Sequence, residues 1–136
     1  MSVFVLDTNI ISYYLKGHDI VVNNITKAII NGDNIVIAPI AYYEIKRGLI
    51  VVNSQKRLNA FNNFCTLFEV GQLNNSILNI AAEIYAEQRK MGHTMEDADI
   101  FIAAFCKNQK ATLITNNTKH FEHISGLVSL DWSVTI

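Results

Sequence analysis

Apolar residues in this chain fall into two alternating rhythms. Short continuous runs, Val3-Phe4-Val5-Leu6, Asn34-Ile35-Val36-Ile37-Ala38, Ala111-Thr112-Leu113-Ile114-Thr115 and Leu127-Val128-Ser129-Leu130, have the length and β-branched content of buried strands. Phe68-Glu69-Val70 reads as a further, very short one. Between them the apolar positions recur every three or four residues, the spacing of one helix face. That period predicts helices over Ile10–Leu15, Asp19–Asn31 (Val22, Ile25 and Ile29 inward), Pro39 to about Ile50, and Ser54–Phe68 with Leu58, Phe61, Cys65 and Phe68 on one stripe. A long helix capped by Asn75 or Ser76 follows, with Ile77, Ile80, Ala81, Ile84 and Tyr85 inward, and ends at Arg89-Lys90-Met91-Gly92. The last predicted helix, Asp97 to Gln109, is apolar nearly all round and so buried. Strands alternating with helices predict an α/β fold, a small parallel β-sheet with helices on both faces. No repeat or linker interrupts the pattern, and residues 1–136 read as a single domain.

Composition narrows the function more than the fold. Half of the residues are hydrophobic and only one is proline, which excludes a disordered or low-complexity chain. A net charge of −1 excludes a protein that holds nucleic acid by overall charge alone, so a polyanionic substrate would need metal ions or local basic patches. Cys65 and Cys106 sit in apolar helical runs and read as buried reduced thiols, without zinc-site spacing. With no basic leader and no apolar run of membrane-spanning length, the expected location is cytoplasmic, with no membrane contact.

The candidate chemistry starts at Asp7, which ends the first strand. In a parallel sheet the C-terminal strand edge is where ligands bind. An Asp there is very often just the N-cap of the next helix, the favoured reading for the residue taken alone, but Thr8 could take the capping role and leave the Asp7 carboxylate facing the crevice. The helix from Asp97 to Gln109 must run antiparallel to the strand that follows, which returns Asp99 to the edge where Thr115, Asn116 and Asn117 end that strand. Glu44 lies about a turn and a half inside its helix, and a long side chain could still reach the same edge. Carboxylates gathered in a crevice raise each other's pKa unless a cation compensates. Hard ions such as Mg²⁺ or Mn²⁺ suit all-oxygen ligands and bind substrate phosphate, so the constellation suggests metal-assisted phosphodiester hydrolysis.

Each of these residues also has a structural alternative. Thr94 and Asp97 fit a capping box, Asp99 suits the positive end of a helix dipole, and Glu44 beside Lys46-Arg47 could be a solvated acid. The histidines stand apart from this picture: His120 and His123 are three apart with no third ligand in view, and His18 and His93 fall in connections.

Taken together, Val5-Leu6-Asp7-Thr8-Asn9, Glu44 in Tyr43-Glu44-Ile45-Lys46-Arg47-Gly48, Asp97-Ala98-Asp99-Ile100-Phe101-Ile102-Ala103-Ala104 and Leu113-Ile114-Thr115-Asn116-Asn117-Thr118-Lys119-His120-Phe121 resemble the PIN-domain ribonucleases, most closely the VapC-type toxins of toxin–antitoxin pairs. The resemblance implies a PIN-like three-layer sandwich and a Mg²⁺- or Mn²⁺-dependent endoribonuclease. Asp7, Glu44 and Asp99 would be its acidic core and metal ligands, with Thr8 and Thr115 as hydroxyls that position ligands or water. Many PIN enzymes have a further acid where this chain has Asn117, and Asp97 would supply the missing charge. The resemblance also implies a cognate antitoxin covering the crevice, a homodimer, and a structured RNA such as transfer RNA as substrate. Tyr13, Tyr14, Tyr42, Tyr43 and Leu49-Ile50-Val51-Val52 are candidate apolar contact surface, and Lys46, Arg47 and Lys119 candidate RNA contacts. An aspartyl phosphatase is disfavoured because Asn9 stands where such enzymes place a second Asp. A non-catalytic RNA- or protein-binding module on the same fold is the alternative.

Overall fold

The structure is a computed structural model and describes residues 1–135. In chain order the elements are β1 (Val3–Leu6), α1 (Thr8–Leu15), α2 (Asp19–Ile30), β2 (Asn34–Ile37), α3 (Pro39–Val52), α4 (Gln55–Leu67), β3 (Glu69–Val70), α5 (Asn75–Lys90), α6 (Asp97–Gln109), β4 (Thr112–Ile114), α7 (Thr118–Phe121) and β5 (Val128–Leu130). The strands form one sheet in the order β3-β2-β1-β4-β5, and every neighbouring pair is parallel. Helices cover both faces, as the continuous apolar strands require. Val5 and Leu6 of the central strand, Ile37 beside them in β2 and Leu113 and Ile114 in β4 are fully buried.

The strand order places the functional edge. From β1 the chain winds through α1 and α2 to β2 on one side, whereas from β4 it passes through α7 to β5 on the other. The connections therefore diverge between β1 and β4, and a crevice opens at the C-terminal ends of these two strands. Leu6 pairs with Ile114 in register, so the residues that follow, Asp7 and Thr115, leave the sheet side by side.

Several local expectations change. In α2 the buried residues are Val21, Ile25 and Ala28, while Ile29 is half-exposed, because the helix is rotated about one position from the expected face. In α4 Phe61 and Phe64 are buried and Leu58 and Cys65 only partly so; Cys65 is thus a half-buried thiol, unlike the fully buried Cys106. The N-cap of α5 is Asn74, whose side chain accepts the Ile77 N–H at 2.9 Å, and Gln88 takes the inward position where Tyr85 was expected. The Thr94–Asp97 capping box does not form, since α6 starts after Glu96 with no side-chain cap. Asn116-Asn117, just past β4, leads into the one-turn helix α7. Gly71, just after β3, lies directly under the Phe105 ring of α6, an approach that any Cβ would block. Among the described residues no helix is long and apolar enough to cross a membrane.

Candidate active site

Asp7 is both a helix cap and a crevice residue. Its backbone N–H donates to the Ile114 carbonyl at 2.9 Å, which fixes its Cα at the β1–β4 edge. One carboxylate oxygen, Oδ1, accepts the Thr8 N–H at 2.7 Å, and the other, Oδ2, accepts the Thr115 hydroxyl at 2.9 Å. The Thr8 hydroxyl does not take the capping role. Its Oγ1 instead donates to Glu44 Oε1 at 2.9 Å. That bond settles where Glu44 points, because it ties α3 to the start of α1 across 36 residues of sequence. The other oxygen, Oε2, lies 4.0 Å from Arg47, whose guanidinium sits over the Tyr43 ring.

Thr115 is fully buried, with its N–H and its hydroxyl both engaged. Its N–H donates to the Leu130 carbonyl at 3.0 Å, and its hydroxyl oxygen accepts the Asn117 N–H at 3.1 Å while donating to Asp7. Asp99, in the first turn of α6, faces the same depression, with its Oδ2 2.8 Å from His120 Nε2. An ionised carboxylate only accepts, so Nε2 is the donor. Asn9 donates to Asn116 Oδ1 at 3.1 Å, and Asn116 in turn donates to the Tyr13 hydroxyl at 3.2 Å, closing the rim between α1 and β4.

The resulting depression is about 220 Å³ and is lined by Asp7, Thr8, Glu44, Asp99, Asn117 and His120, with Asn9, Asn116 and Phe121 at its edge. Burial pushes the Asp7 carboxyl above the usual carboxylate range; the Thr8 and Thr115 hydrogen bonds pull it back, and the charges of Asp99 and Glu44 push it up again. Burial and the nearby Asp7 charge also hold the Cys106 thiol protonated. Asp97 is not in this depression. As the first residue of α6 it lines a neighbouring one of about 360 Å³, which also holds Arg47 and shares Glu44 with the first. Residues two apart on a helix project in different directions, which separates it from Asp99.

Among the described residues no three His, Cys, Asp or Glu side chains stand close enough to form a ready-made metal cage. The acids share one depression, yet each is held by its own partner: Thr115 on Asp7, Thr8 on Glu44, His120 on Asp99. A larger depression, about 680 Å³, lies elsewhere, between α2 and β5, and mixes Ile20, Leu130 and Trp132 with Lys27 and Asp131. Volume therefore does not locate the acids; strand topology does.

His120 is the site residue that hydrophobic period and motif spacing do not reveal. The available signal was its place six residues beyond β4, on the edge already assigned to Asp99, rather than any spacing to another histidine.

Comparison with known proteins bears on the fold and the family. The family model of the PIN domain matches residues 4–127. Ribonuclease VapC1 of Haemophilus influenzae (strain R2866) is 26% identical over 132 residues, 96% of this chain and 98% of that one. The tRNA(fMet)-specific endonuclease VapC of Shigella flexneri is 26% identical over 134 residues, covering 98% and 100%. Among solved structures, a chain of VapBC2 from Rickettsia felis, bound to a DNA fragment from their promoter, superposes with a TM-score of 0.86 at 27% identity, covering 96% of this chain and 98% of that one. A chain of VapBC-1 from nontypeable Haemophilus influenzae gives 0.84 at 28%, covering 97% and 99%. With a parallel sheet that brings Asp7, Glu44 and Asp99 to one edge and a family match over nearly its whole length, the chain belongs to the PIN domain family.

Proposed function

We propose that this protein is an endoribonuclease that hydrolyses RNA phosphodiester bonds with Mg²⁺ or Mn²⁺, and that it is the toxin of a toxin–antitoxin pair acting on a structured RNA such as transfer RNA. The observation that carries the reading is the convergence of Asp7, Glu44 and Asp99 on one depression at the sheet's C-terminal edge. The donor set fits a hard divalent cation: it is all oxygen, it is surplus in negative charge, and burial already works against ionised Asp7. Asp7, Glu44 and Asp99 would hold the ion, which when bound supplies charge neutralisation at the attacked phosphate and a more acidic water.

The chain's own residues do the rest. Thr115 fixes the Asp7 carboxylate on one side and the Thr8 N–H on the other, so that the acid has little freedom to rotate. Thr8 orients Glu44 in the same way. Asn117 presents a neutral group where an acid would add charge, and Asp97, one depression away, adds negative potential. With a net charge of −1, the RNA backbone needs local cations; Arg47, on the wall that also carries Glu44 and Asp97, is the best placed, with Lys46 and Lys119 further candidates.

The VapBC complexes among the structural relatives support an antitoxin partner. Tyr43, Ile50, Val51 and Val52 are more than half exposed along α3 and supply apolar surface for that partner or for a homodimer; Tyr13, Tyr14, Tyr42 and Leu49 pack on the core instead. Residues 1–136 would act as one nuclease domain in the cytoplasm.

The test is cleavage of labelled transfer RNA by the purified, partner-free chain with Mg²⁺, with Mn²⁺ and with EDTA, alongside Asp7→Asn. Cleavage that needs either cation and is lost in the variant is expected. If Asp7→Asn cuts as fast as the parent, the site is misassigned. A folded parent that cuts no cellular RNA with either cation leaves the non-catalytic binding module as the better reading.

A further inference from the structure

We propose that His120 is a positioning residue for Asp99, holding one carboxylate oxygen so that the other faces the depression. This rests on the reading above that Asp99 ligates Mg²⁺ or Mn²⁺. The 2.8 Å contact from Nε2 is the only side-chain hydrogen bond found for Asp99 among the described residues. Without it, a half-exposed carboxylate in the first turn of a helix rotates freely and presents no fixed oxygen to a cation.

His120 is itself held in place. Its ring meets Phe121 edge-to-face at 5.5 Å between centroids, and Phe121 is buried. Its backbone N–H donates to the Asn117 carbonyl at 3.1 Å, and the Asn117 backbone N–H is fixed on Thr115 Oγ1. Three residues on, the His123 carbonyl accepts a hydrogen bond from buried Gln88 of α5 at 3.1 Å, and the His123 ring lies against His93, 4.3 Å between centroids. The segment after β4 thus supports two acids from one rigid piece of chain: Thr115 holds Asp7 and His120 holds Asp99. Hydrogen-bond partners of metal ligands commonly change metal affinity about 10- to 100-fold when removed.

The experiment is direct Mn²⁺ binding to the full chain, followed by the loss of the free-ion electron paramagnetic resonance signal, for the parent, His120→Ala, His120→Gln and Asp99→Asn. His120→Ala is expected to bind Mn²⁺ about 10- to 100-fold more weakly at an unchanged thermal midpoint. His120→Gln, which keeps an N–H donor of similar reach, is expected to recover part of that loss, and the RNA cleavage deficit of His120→Ala is expected to shrink as Mn²⁺ is raised. Parental or tighter Mn²⁺ binding in His120→Ala overturns the proposal, as does an equal loss in both His120 variants. If Asp99→Asn also binds Mn²⁺ like the parent, the ligand assignment itself fails; if only Asp99→Asn loses binding, the failure is confined to His120.

Discussion

Thr115→Val isolates the contact on which the Asp7 geometry depends. The substitution keeps the shape of a fully buried side chain and removes only the hydroxyl, with its 2.9 Å bond to Asp7 Oδ2. A hydrogen bond to a charged group contributes about 1.5–3 kcal/mol. The added methyl returns about 0.8 kcal/mol of apolar burial, and the Asn117 N–H, on an exposed residue, can turn to water. The net loss is about 1–2 kcal/mol. Unfolding entropy for 136 residues is about 0.29 kcal/mol per kelvin, so the melting temperature is expected to fall by about 3–7 °C. The loss also has a pH signature. The Thr115 bond favours ionised Asp7, so its removal raises the Asp7 pKa further, and the deficit is fullest above that pKa and shrinks as pH falls through it. Thermal melts of parent, Thr115→Val and Thr115→Ser across acid to neutral pH measure this, with Thr115→Ser keeping the hydroxyl and hence the pH profile. A variant as stable as the parent at neutral pH, or a deficit that grows on acidification, would refute the reasoning.

Two more expectations follow from the same packing. Folded Asp7 binds its proton more tightly than the unfolded chain does, so stability falls as pH rises from the ordinary carboxylate range through the folded pKa, and ionised Asp7 destabilises the fold at neutral pH. Asp7→Asn should therefore have a higher urea midpoint than the parent at pH 7 and a flatter pH profile; a lower midpoint at pH 7 would contradict this sign. Gly71→Ala would drive a methyl into the Phe105 ring, displacing α6, and should destabilise by about 1–3 kcal/mol with reduced RNA cleavage; urea unfolding at parental stability would show that Phe105 moves aside freely.

How much of the site was legible can be read residue by residue. Asp7 was placed by pattern, since a four-residue apolar strand ending on an acid has one direction in a parallel sheet. Asp99 was placed by topology, since a helix that precedes a strand must run back along it. Glu44 was the weaker inference, because helix periodicity gives a face but not a tilt, and only the Thr8 hydroxyl fixes it in the depression. Of the two capping candidates at the start of α1, the acid caps the helix and the Thr8 hydroxyl reaches across to α3.

The sequence by itself determined the alternation of strands and helices, the parallel sheet and the edge to which its acids are drawn, because these depend on hydrophobic period and chain direction, which are local. Tertiary structure decided that the connections part between β1 and β4, that Glu44 is tied to Thr8 in the depression, and that His120 belongs to the site. Those outcomes depend on helix rotation and on side-chain contacts between residues far apart in the chain, which no one-dimensional pattern encodes.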